Sequence, residues 1–170
     1  MKSFHNIRMQ FHRQFLNQEL KNNPRGESKI VSFENAKSIG ILFDATDPGR
    51  RDQILKYIDQ IKKKQKKVKS LTLFHNNNKN NNLTYKYFNN KNIDYTYPPR
   101  RETVSEFIQQ PFDLLLNLEP ETKIHTEYIA ALSRANLRIG PYNERTHTHA
   151  LKIAKYSQKL SDMITFPLLV

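Results

Sequence analysis

Apolar residues along this chain fall into two periodicities, and their alternation predicts the architecture. Ser38-Ile-Gly-Ile-Leu-Phe-Asp44 and Pro111-Phe-Asp-Leu-Leu-Leu-Asn-Leu118 are apolar runs of strand length, each stopping at an Asp or Asn. A strand covered by helices on both faces reads this way, because neither face presents its side chains to water. Each run is followed by apolar residues three and four apart, the spacing of a helix face. The pattern predicts an α/β fold: a single three-layer Rossmann-like domain with a mostly parallel sheet of four or five strands. Phe112–Leu118 is expected at its centre and Ser38–Phe43 beside it, joined by right-handed crossovers.

The same reading places the remaining elements. Residues 3–20 carry Phe4, Ile7, Phe11 and Phe15 at helical spacing, with Leu16 and Leu20 on that side. They predict an amphipathic N-terminal helix that packs across the domain, ended by Pro24 and Gly26. This basic helix and its linker make up residues 1–29, and the α/β domain residues 30–170. After the first strand, Asp47 is an N-cap with Pro48 at the first helical position. The helix from Pro48 to about Lys64 packs through Ile54, Ile58 and Ile61, flanked by Leu55 and Tyr57, with Lys56, Lys63, Lys66 and Lys67 opposite.

Val68–Phe74 reads as the second strand, and 75–82, rich in Asn, as a surface loop. Leu83–Phe88 and Ile93–Tyr97 alternate in aromatics, as edge strands or irregular loops do. Thr103–Gln110 is a short helix. A longer helix runs from about Glu121 to Ala135, with Ile124, Tyr128, Ala131, Leu132 and Ala135 on its core face. Leu137–Gly140 is a strand, Thr146–Leu160 a helix, and Asp162–Val170 a last apolar strand.

Composition narrows the function classes. The chain has 170 residues and no cysteine, which excludes disulfides, thiolate catalysis and zinc ribbons. No apolar run approaches the ~18 residues of a membrane span, so a cytoplasmic protein with no membrane partner is expected. Net charge is +12, and its placement is uneven. Residues 1–29 hold six basic and two acidic residues, and residues 50–69 nine and two. Clustering of this kind is the footprint of a polyanion partner. The plain alternative is coding bias, since AT-rich genes accumulate Lys and Asn on any tolerant surface.

Arg50, Arg51, Lys56, Lys62, Lys63, Lys64, Lys66, Lys67 and Lys69 are accordingly the candidate phosphate contacts, with Tyr85, Tyr87, Tyr95 and Tyr97 as stacking surfaces for bases. No RNP, KH or helix-turn-helix signature accompanies them, so recognition would rest on charge and shape. The expected partner is RNA or the ribosome, and the expected role is non-catalytic binding.

The alternative is a nucleotide- or sugar-binding α/β domain or a degenerate enzyme, with Asp44, Thr46, Asp47 and Asn117 at the strand ends where open α/β sheets bind ligands. Glu119 lies beside them. Neither G-x-G-x-x-G nor G-x-x-x-x-G-K-[ST] occurs, so no cofactor is expected. His147 and His149, two apart on a helix, point away from each other, so no metal is expected either.

Residues 111–140 also carry a resemblance. The strand Phe-Asp-Leu-Leu-Leu-Asn-Leu, the helix containing Ala-Ala-Leu-Ser-Arg-Ala and the strand Leu-Arg-Ile-Gly, followed by Pro141-Tyr142-Asn143, resemble an uncharacterised family of Bacteroidota proteins of unknown function. The block is similar as well to the N-terminal half of heptosyltransferase-like glycosyltransferases. Those enzymes need a second α/β domain to hold a sugar nucleotide, for which 170 residues leave no room. The resemblance implies the fold and brings no activity.

Overall fold

The computed structural model describes residues 2–23, 31–75, 85–94, 98–141 and 149–150. An N-terminal helix α1 (Lys2–Asn22) precedes β1 (Ser38–Asp44), α2 (Pro48–Lys63), β2 (Lys67–Phe74), β3 (Lys86–Asn89), α3 (Arg101–Gln109), β4 (Leu114–Asn117), α4 (Ile124–Leu132), β5 (Leu137–Gly140) and β6 (His149–Ala150). The strands form one sheet in the order β3-β2-β1-β4-β5-β6, and every pairing within it is parallel. β6 is a two-residue edge pairing with Ile139 and Gly140. The protein is thus a Rossmann-like α/β domain. The two apolar runs lie side by side at its centre, Ile39 opposite Leu114 and Leu42 opposite Asn117.

Side chains alternate between the two faces of this sheet. Ile39, Ile41 and Phe43 of β1 join Leu114 and Leu116 of β4 on one face, under Ile54, Ile58 and Ile61 of α2. Leu42 and Leu115 point to the other face, under α3, α4 and Leu16 of α1. Gly40 makes room on that second face. A Cβ there would lie 2.8 Å from two ring carbons of Phe112, closer than packed carbons approach. The β1–β4 register is further tied at the amino edge. Asp113 Oδ2 accepts from the Lys37 and Ser38 amides at 2.9 Å, and the Asp113 amide donates back to Ser38 Oγ at 2.9 Å.

Three expectations change. Helix α4 begins at Ile124, not near Glu121, with Lys123 extended at the N-cap position. It ends at Leu132, where Ser133 leaves the helix and its hydroxyl accepts from the Ala135 amide. Residues 149–150, expected within a helix, are a strand; the rest of 146–160 and the last strand 162–170 lie outside the described residues. On α1 the packed face is not the aromatic stripe. Leu16 and His12 are buried, whereas Phe4, Ile7, Phe11 and Phe15 are exposed, Phe4 by 70%. Packing requires a surface to meet, and α4 offers Tyr128 to only one edge of the stripe, where it stacks on Phe15 with centroids 6.3 Å apart.

Candidate functional site

The nine basic residues of 50–69 separate when the chain folds. Helix α2 runs the depth of the sheet, about 24 Å for its sixteen residues. Arg50 and Arg51 therefore stand at the carboxyl edge, and Lys63 to Lys67 at the amino edge. Arg51 pairs with Asp52 at 3.4 Å and Lys62 with Asp59 at 3.9 Å. Lys69 donates to Gln110 Oε1 at 2.9 Å and lies 3.8 Å from Glu106, which also holds Lys86. Lys62, Lys69 and Lys86 thus line a groove of about 490 Å³ beside β2 whose acids, Asp59 and Glu106, largely neutralise them.

At the amino edge the lysines keep their charge. Gln65 turns the chain with φ of 59°, so α2 runs directly into β2 and sets Lys63, Lys64, Lys66 and Lys67 within one turn. Lys37 joins them, because its carbonyl accepts from the Lys67 amide at 2.8 Å. Lys64 and Lys66 lie over the Phe33 ring, 5.5 and 5.2 Å from its centroid. Lys66 also donates to the Glu34 and Ala36 carbonyls. Neither contact removes a positive charge. Among the described residues, the ammonium groups of Lys56, Lys63 and Lys67 have no acidic partner.

Among the described residues, Tyr85 and Tyr87 offer no open stacking platform. Tyr85 and Tyr87 pack against the α2-side core, beside Phe43 and Phe74, and burial raises the pKa of the Tyr85 hydroxyl. Side chains two apart share a face of a strand, so Tyr85 and Tyr87 both lie toward the α2-side core, which the aromatic count alone did not show. Tyr95 and Tyr97 lie outside the described residues, as does His147.

The other site lies at the carboxyl edge between β1 and β4. From there the chain leaves β1 for α2 on one face, and leaves β4 for α4 on the other. Neighbouring strand ends whose loops diverge open a crevice in sheets of this order. Glu119 fills its floor: the side chain is 0% exposed, and Oε1 accepts from the Asp44 amide at 2.5 Å. Lys123 bridges the two acids, 2.6 Å from Asp44 Oδ2 and 3.0 Å from Glu119 Oε2. The second contact is one of charge, without the alignment of a hydrogen bond. Arg50 donates to the Leu118 carbonyl and stands 3.7 Å from Glu119 Oε2, and His75 Nε2 is 3.4 Å from Asp44 Oδ2.

Burial opposes ionisation of Asp44, but hydrogen bonds from Lys123 and Thr46 outweigh it and hold its pKa below the usual value. Burial likewise opposes the charge on Lys123, and the two carboxylates outweigh it and raise its pKa. Both groups are therefore charged at neutral pH.

Of the strand-end residues expected to bind a ligand, Asp44 sits in this cluster. Thr46 accepts from the His75 amide at 2.9 Å, and Asn117 Oδ1 accepts from the Glu119 amide at 3.3 Å. Asp47 faces α2 and caps it, accepting from the Arg50 amide at 2.6 Å. Sequence reasoning missed Lys123, His75 and the place of Arg50. The one available signal was the Glu119–Lys123 spacing of four. Among the described residues, no three or more His, Cys, Asp or Glu side chains gather to hold a metal ion, and no helix is long and apolar enough to cross a membrane.

The strand block that carried the resemblance supplies β4 and β5 of the sheet. The chain belongs to DUF6913, a family of unknown function, matched over residues 8–165. No curated protein and no solved structure matches it.

Proposed function

We propose that this DUF6913 member is a non-catalytic, cytoplasmic protein that binds RNA, free or in the ribosome, through the lysine cluster at the amino edge of its sheet. One observation carries the reading: Lys37, Lys63, Lys64, Lys66 and Lys67 converge there while most other cations of 50–69 are met by acids. Asp113 offsets part of the Lys37 charge, and the remaining lysines attract phosphates and release their counterions, so binding is salt-dependent and indifferent to sequence. The cluster meets phosphates rather than bases, so structured or duplex RNA is preferred over unstacked single strands.

The test is filter binding of duplex and single-stranded RNA as salt is raised, with co-sedimentation on ribosomes alongside. Four or five phosphate contacts predict an affinity loss of roughly two orders of magnitude or more between about 50 and 200 mM salt. No binding at low salt, or binding that ignores salt, overturns the reading.

A further inference from the structure

Helix α1 meets the domain along one side only. Leu16 and His12 are buried there, and Leu20 packs against the same core. Phe4, Ile7, Phe11 and Phe15 share an arc of about 80°, the middle of which lies about 140° round the helix from Leu16. All four are exposed, by 70, 45, 55 and 40%. Together they present roughly 400 Å² of apolar surface, the size of patch that marks an interaction site on a soluble protein. The same helix is cationic. It holds Lys2, Arg8, Arg13 and Lys21 against Glu19 alone. Glu19 is turned to the domain, 14% exposed, and Arg101 of α3 meets it at 3.7 Å. Arg13 and Lys21 are exposed, and among the described residues neither has an acidic partner.

A partner for this surface must be apolar within and negative at its face. A second copy of the chain brings the same positive charge, and the stripe is about half of the ~800 Å² that each subunit gives to a stable interface. A nucleic acid supplies the charge, but its bases stack on aromatic faces and give aliphatic Ile7 no counterpart. A groove cannot enclose a helix already held against α4, whereas a flat surface needs to reach only the stripe. A bilayer with anionic headgroups meets every requirement. We propose that α1 docks on an anionic lipid surface, laying Phe4, Ile7, Phe11 and Phe15 into the boundary between headgroups and acyl chains. Arg13 and Lys21 are long enough to extend toward the lipid phosphates. The expectation of no membrane partner rested on the lack of a spanning run, and lying on a bilayer requires none. The stripe shares no residue with the lysine cluster, so the proposal stands apart from RNA binding.

The test is flotation of the full chain at low salt with two kinds of vesicle, one of phosphatidylcholine and one of an equal mixture of phosphatidylcholine and phosphatidylglycerol. Binding to the mixed vesicles is expected to be about tenfold or more tighter than to the neutral ones and to fall as salt rises. The double change Phe4→Ser and Phe11→Ser should weaken it about tenfold or more, while RNA retention on filters and the melting temperature stay as in the unaltered chain. No flotation with the mixed vesicles, equal binding to the neutral ones, or undiminished flotation of the folded variant overturns the proposal. So does a dimer in sedimentation that the double change dissociates, since a second copy then covers the stripe. A marked drop in the variant's melting temperature also overturns it, because residues of the same chain then cover the stripe.

Discussion

Lys123 Nζ lies 2.6 Å from Asp44 Oδ2, and this contact joins the entry of α4 to the end of β1 across 79 positions of sequence. It also accounts for the late start of α4. With Glu119 on the floor of the crevice and Lys123 hydrogen-bonded to Asp44 and ion-paired with Glu119, the intervening residues 120–122 span the site and the helix begins at Ile124.

The pair has a definite pH signature. Asp44 has a folded pKa below its ordinary 3.8, so its contribution is present above that value and is lost as pH falls through the lower folded one. Lys123 has a folded pKa above its ordinary 10.5, so its share is full below that value and is lost as pH rises through the folded one. Asp44→Asn should therefore lower stability across the neutral range by about 1–3 kcal/mol, toward the lower end because Lys123 is partly solvated. Thermal melts as a function of pH check this. The gap from the unaltered protein should close below pH 3.8; a gap of constant size there contradicts the assignment.

The inverted packing of α1 gives a second expectation. Leu16 is 2% exposed and joins the core beneath α3 and α4, so Leu16→Ala should cost about 2–5 kcal/mol. Phe11→Ser on the exposed stripe should stay within roughly 0.5 kcal/mol. Urea denaturation separates the two. Equal costs would mean that the aromatic stripe is buried.

Gly40→Ala tests the close approach of β1 and Phe112. The added methyl meets a ring wedged against Phe107, so a cost of about 1–3 kcal/mol is expected. Phe112→Leu made in the Gly40→Ala background should recover part of that loss, a non-additivity that a double-mutant cycle measures. Strict additivity would place the strain elsewhere.

Charge reversal separates surface from core along α2. Lys56, Lys63 and Lys67 are exposed, so changing all three to Glu should leave the melting temperature nearly unchanged, each substitution contributing within about 0.5 kcal/mol. RNA retention on filters should be abolished. Ile58→Ala, on the buried face of the same helix, should cost about 2–5 kcal/mol. A folded triple variant that binds RNA as before would remove the lysine cluster from the interface.

Local pattern determined a large part of this protein. The runs at 38–44 and 111–118 are apolar without interruption because both faces of their strands are covered, so their position at the sheet centre was legible before any coordinate. Asp47 and Pro48 marked the start of α2, since capping depends on neighbours within one turn. Ile54, Ile58 and Ile61 marked its buried face, since a helix orients side chains by spacing alone.

What only the tertiary structure decided involves partners distant in sequence. Spacing shows that Phe4, Ile7, Phe11 and Phe15 share a side of α1, but burial requires an opposing surface, and α4 meets Leu16 and His12 instead. Charge counting treated Arg50 and Lys67 as one group; the length of α2 puts them at opposite edges of the sheet. Tyr85 and Tyr87 looked available because a short edge strand carries little periodicity to reveal its inward face. Lys123 carried only its spacing of four from Glu119 as a local sign, because Asp44, the other acid it bridges, ends a strand that becomes a neighbour of β4 only when the sheet assembles.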